Sequence, residues 1–112
     1  MAYSEYLAER VRHRLHGNGF IEEKKMMGGL IFMCNGKMCV GVDIDKETGQ
    51  DRLMVRVGKL DYQELLQKEG SKKMDFTGKP MRGFLFIDSN GFDAEDDLDF
   101  WINKALALNV LL

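Results

Sequence analysis

What the chain lacks narrows it first. No window approaches the roughly 18 uncharged apolar residues that a membrane-crossing helix needs. The N-terminal stretch carries Glu5, Glu9, Arg10, Arg12 and Arg14 where a signal peptide would have its apolar core. A cytoplasmic protein without membrane association is therefore expected. A dominant charge is missing too, since 16 basic residues stand against 18 acidic ones, for a net charge of -2. Asp88, Asp93, Glu95, Asp96, Asp97 and Asp99 form an acidic segment with no basic residue inside it, and elsewhere basic residues hold a modest excess. A nucleic-acid reader concentrates a stronger basic bias on one face, so the composition permits such binding without arguing for it. Histidine is scarce: His13 and His16 stand three apart on one helix, and with no carboxylate at a recognised spacing they make a weak metal site. No metal, cofactor or catalytic group is expected. The single proline, Pro80, breaks strand pairing at its turn and stiffens the presentation of Met81 and Arg82.

The 112 residues fit one domain, residues 1–112, large enough to bury a core without metals or disulfides and leaving no room for a second domain. Hydrophobic residues at 45% and charged residues at 30% are ordinary for a globular protein. The organising stretch is KKMMGGLIFMCNGKMCVGV, Lys24 to Val42. Asn35-Gly36 is the dipeptide that most favours a two-residue type I′ turn, which predicts a hairpin with Cys34 opposite Lys37, Met33 opposite Met38 and Phe32 opposite Cys39. Met38, Val40, Val42 and Ile44 then share one face of the returning strand, and Cys39, Gly41 and Asp43 the other. The leading strand is apolar on both faces. Such a strand must be covered twice, once by the chain's own helices and once by another layer, a second subunit or a ligand.

Around the hairpin the periodicities are plain. Ser4 can cap a helix from about Glu5 to His16, and residues Phe20 to Met27 lead in as a loop or short strand. Gly28-Gly29 signals positive φ or close backbone approach, and the strand that follows argues against a phosphate cradle. Leu53 to Val57 is a strand whose Arg56 shares a face with Met54, and either lies along apolar surface or meets a carboxylate. Asp61-Tyr62-Gln63-Glu64 has the form of a capping box for a helix to about Glu69. Met74 to Thr77 and Arg82 to Ile87 read as strands, and a helix capped by Asp93 carries Leu98, Trp101, Ile102, Ala105, Leu106 and Leu108 on one stripe. The acidic segment falls on that helix's first turns, where it complements the dipole, and the apolar tail Asn109 to Leu112 is expected to dock here or on a second copy. The architecture expected is α+β: an antiparallel sheet of about five strands with about three helices on one face.

Three groups of residues bear on chemistry. Cys34 and Cys39 point to one face as diagonal neighbours, about 7–8 Å apart and so long for a disulfide, which leaves buried inert thiols or a nucleophile. Eight methionines, most of them near the strands, supply either core packing or a plastic interaction surface. Lys24, Lys25, Arg56, Lys79 and Arg82 lie nearest the glycine-rich turns and, if brought together, would hold an acidic peptide or a phosphate backbone.

The runs EKKMMGGLIFMCNGKMCVGV, LMVRVG and MDFTGKPMRGFLFI, with the opening AYSEYLAERVR and a closing helix containing Trp101, resemble the TfoX (Sxy) N-terminal domain family over nearly the whole chain. Met27 stands where an aromatic is common in the family's MFGG motif. The resemblance implies an antiparallel α+β domain similar to secretion-chaperone-like folds, often paired. Two-domain family members regulate natural competence genes by assisting a transcription factor, and their second domain is expected to be absent here. It supplies no catalytic residues. The motif positions are Lys25, Met26, Gly28, Gly29, Arg56, Gly58, Asp75, Gly78, Pro80, Met81, Arg82 and Gly83.

The expectation is thus a small non-enzymatic interaction domain, a homodimer, that binds a protein of the transcription machinery or a regulator. Its partner-binding residues would be Lys24, Lys25, Met26, Gly28, Gly29, Arg56, Lys79, Met81 and Arg82. Direct nucleic-acid binding through the basic residues is one alternative. An enzyme is the other, using Cys34 or Cys39 as nucleophile or pairing Asp75 with Arg56 in a pocket.

Overall fold

The structure is a computed structural model describing residues 3–75, 78 and 80–112. Helix α1, Glu5–Leu15, begins where Ser4 Oγ accepts the Leu7 N–H at 3.3 Å, and it buries Leu7, Ala8, Val11 and Leu15. Strands β1 (Ile21–Met26), β2 (Gly29–Cys34), β3 (Lys37–Ile44) and β4 (Asp51–Arg56) follow. After the one-turn helix α2 (Tyr62–Leu65) come β5 (Ser71–Asp75) and β6 (Pro80–Asp88), then the short helix α3 (Ser89–Phe92) and the long α4 (Glu95–Leu111). The strands form one antiparallel sheet in the order β1-β2-β3-β4-β6-β5. The α+β architecture is as expected, with six strands and four helices among the described residues in place of about five and three.

The sixth strand is β1, whose charged sequence conceals it. Met27-Gly28 makes a two-residue turn with φ of 56° and 78°, and β1 pairs with β2 from Met26↔Gly29 to Ile21↔Cys34. Charged residues on an edge strand discourage pairing with another chain, and Glu23, Lys24 and Lys25 are exposed there. Gly28 thus supplies positive φ. Gly29 supplies close approach, because a Cβ there would collide with the Val42 carbonyl oxygen.

Smaller differences have local causes. Asp61 makes no side-chain cap bond and instead faces Lys104 at 3.9 Å, and α2 stops at Leu65. The residue before α4 is Ala94, without a side-chain cap, while Ser89–Phe92 winds into a turn of helix. Of the tail expected to dock, Asn109 donates to the Cys34 carbonyl at 3.0 Å, while Val110 and Leu111 are 84% and 80% exposed and do not dock on this chain.

All four helices contribute to one core, on one face of the sheet, with Leu30, Phe32, Cys34, Val40, Leu53, Val55, Leu85 and Ile87 facing them. Trp101 sits at its centre, fully buried, and its Nε1–H donates to the Gly91 carbonyl at 3.1 Å. The acidic segment joins helices: Glu95 receives Arg10 at 2.5 Å and Arg14 at 2.7 Å, and Asp99 receives Arg14 at 2.6 Å. Hydrogen bonds from Arg14 and then Arg10 hold the Glu95 carboxyl below its ordinary range.

The central hairpin departs from the expected register. Asn35-Gly36 turns as predicted, with φ of 54° and 83°, and Cys34↔Lys37 and Met33↔Met38 pair. Beyond them the ladder shifts by one residue, so Phe32 faces Val40 and Cys39 is the extra residue of a β-bulge. The bulge puts Cys39 beside Val40 and Val42 in the helix-side core and sends Met38 to the opposite face, reversing the expected places of the two. It also corrects the covering argument. Leu30, Ile31 and Phe32 are 3%, 4% and 0% exposed in the isolated chain, so side chains of the chain itself already cover both faces of that strand. Only Met33 stays half-buried.

Candidate interaction surface

The face of the sheet turned away from the helices carries the methionines. Ile31 from β2, Met54 from β4, Met74 from β5 and Phe86 from β6 close its centre, each no more than 7% exposed. Met27, Met33, Met38, Met81 and Phe84 surround that centre and remain half-buried. Close packing at the middle depends on Gly41, where a Cβ would come within 2.6 Å of Ile31 Cδ1 and 3.2 Å of Met54 Cε. The depression over Ile31, Met54 and Phe86 encloses about 10 Å³, room for one water and not for a metabolite. Methionine suits such a surface because its unbranched thioether repacks at small cost.

Two arginines cross this face four residues apart on β4, so alternation points both outward. The Arg52 guanidinium lies 3.7 Å from the centroid of the Phe86 ring and donates to both oxygens of Asp43, at 3.0 and 2.8 Å. Burial opposes its charge, and the hydrogen bonds and field of Asp43 outweigh that, raising its pKa. The Arg56 guanidinium lies 5.3 Å from the Phe84 ring centroid, and among the described residues it forms no ion pair. Asp75 opens with Arg52, Asp43, Asp45 and Glu47 onto a trough of about 460 Å³ at the opposite end of the face. The alternative pairing of Asp75 with Arg56 is therefore not formed.

The other expected site residues divide. Gly29 lines the central depression, Met81 packs against the outer cluster, and Met26 is 39% exposed at the end of β1. Lys24 lies opposite Ile31 and so on the outer side, whereas Lys25 lies opposite Leu30 and so on the helix side. β1 is three strands from β4, roughly 14 Å, which separates both lysines from Arg56. Arg82 is exposed on β6, next to β4, and Lys79 lies outside the described residues. The basic residues do not share a cleft among the described residues. Met33 and Met38 belong to the methionine set expected as core packing or a plastic surface, whereas Arg52 and Phe84 are members of this surface that no expectation named. The four-residue interval between Arg52 and Arg56 was the signal available for the first of them.

Cys34 and Cys39 are 0% and 1% exposed. The neighbouring Cys34 thiol and burial hold the Cys39 thiol above its ordinary value. Nucleophiles need access as well as charge, and these two lie within the helix-side core. Among the described residues no cluster of three metal-ligating side chains occurs, and no helix is long and apolar enough to cross a membrane.

The family model described as the TfoX N-terminal domain matches residues 13–108. A search of curated proteins found no match.

Proposed function

The chain belongs to the TfoX N-terminal domain family, and from that premise we propose that it is a non-enzymatic interaction domain of the cytoplasm that docks a transcription-related protein on its outer sheet face. The observation that carries this reading is the asymmetry of the sheet: every helix packs on one side, and the other is paved with half-buried methionine and phenylalanine. Adaptable thioether surfaces around a closed centre are suited to accept a partner without exposing a core. The same reading has the domain pair with a second copy. Phe20 and Leu60, 65% and 100% exposed, flank the last turns of α4 and offer apolar contacts for it.

Photo-crosslinking in cells tests the docking face. A crosslinker placed at Met33 or Met38 is expected to trap a regulator or a protein of the transcription machinery, and one at Asn103 on the helix side is not. Equal trapping from all three positions, or capture of metabolic enzymes alone, defeats the proposal. Light scattering at high concentration is expected to give twice the 12.8 kDa chain mass, and a strict monomer removes the dimer.

A further inference from the structure

The two arginines of β4 are built alike up to one missing group. Each lies on the outer face against a phenylalanine of β6, Arg52 on Phe86 and Arg56 on Phe84. Arg52 has Asp43 directly across on β3 as its carboxylate. The β3 residue that would stand across from Arg56 is Cys39, next in the ladder after Val40↔Val55. The bulge turns Cys39 into the helix-side core and leaves Met38 on the outer side. Arg56 is therefore half-buried, its guanidinium over the Phe84 ring, with no carboxylate across from it on β3. Among the described residues no acidic side chain pairs with it.

We propose that Arg56, framed by Met33, Met38, Met81 and Phe84, receives a glutamate or aspartate side chain flanked by apolar residues on the docked partner. This rests on the reading of the outer face as a docking surface and adds the chemistry of what docks. A guanidinium fork held against a ring takes a carboxylate in bidentate fashion, and removal from water strengthens the bond. The surrounding thioethers and ring take the apolar flanks. Nucleic acid fits this face less well. Phosphate backbones need several cations in a row, whereas Arg52 is already neutralised, Lys24 lies three strands away, and Asp43, Asp45, Glu47 and Asp75 outnumber Lys46 at the far end.

The test uses the full chain with its methionine methyl groups labelled with carbon-13 and followed by nuclear magnetic resonance. Three probes are titrated: a blocked peptide of leucine and phenylalanine with one central glutamate, the same peptide with glutamine in its place, and oligothymidylate. The glutamate peptide is expected to shift the Met33, Met38 and Met81 methyl signals and to bind about tenfold or more tightly than the glutamine peptide. Arg56→Gln is expected to remove that difference, Arg56→Lys to keep part of it, and Lys104→Gln on the helix side to keep all of it. The methyl spectrum itself reports whether each variant is folded. Equal binding of the two peptides to these methyl groups overturns the role of Arg56 while leaving the docking face standing. No shift with either peptide, or a larger shift with oligothymidylate, overturns the carboxylate site altogether.

Discussion

Replacing Met54 by alanine separates a second core from a mere surface. Met54 is 4% exposed and packs with Ile31, Met74 and Phe86 on the side of the sheet that no helix covers. The truncation removes three heavy atoms, about 2.4 kcal/mol at roughly 0.8 kcal/mol for each methylene-sized group. The shell rests on the backbone of β2, β3 and β6 and closes only partly, so a residual void of about 30 Å³ adds about 0.7 kcal/mol. A loss near 3 kcal/mol follows, which lowers the melting temperature by roughly 12 °C in a domain of this size. The matching change at half-buried Met33 leaves water to fill the space and is expected to cost about 1 kcal/mol or less. Urea titration of the two variants, with the m-value compared to confirm two-state unfolding, measures both numbers. Equal losses at the two sites, or a loss below about 1 kcal/mol for Met54→Ala, would refute the claim that one chain closes the centre of this face by itself.

Four further outcomes are expected. Gly29→Ala drives a Cβ into the Val42 carbonyl and the Asp43 Cβ, so it should destabilise by more than about 2 kcal/mol in chemical denaturation. Gly36→Ala has open space and meets only the positive φ of the turn, at about 1 kcal/mol. Acid should weaken the packing of α1: Arg12 holds Glu23, and Arg14 and Arg10 hold Glu95, below the ordinary glutamate range. Their contribution is complete above the unfolded value of about 4.3 and is lost as pH falls through the lowered folded values, so Glu95→Gln should flatten the melting profile below about pH 4.5. Cys34 and Cys39 should react with iodoacetamide at neutral pH far more slowly than in the denatured chain, and an equal or faster rate would point to an accessible thiolate.

How much was legible depended on whether a residue's neighbours could be read from spacing. The Asn35-Gly36 turn, the Ser4 cap and the stripe through Trp101 are local, set by φ preferences and helical period, and they appear as expected. β1 was obscured because an exposed edge strand has little apolar alternation to betray it. Arg56 was legible as an outward residue beside Met54, but not as an arginine without a carboxylate. That distinction depends on which residue of β3 stands across from it.

The composition and patterning of this chain by themselves determined an α+β domain, its turns, and the presence of more apolar strand surface than one set of helices covers. Tertiary structure alone decided which side chains took which face. Both faces of β2 are apolar, so spacing alone does not show against which of them a slip in the facing strand would be penalised. The bulge at Cys39 is such a slip. It buries the second thiol in the same core as the first, moves Met38 outward, and leaves Arg56 without a carboxylate across from it on β3.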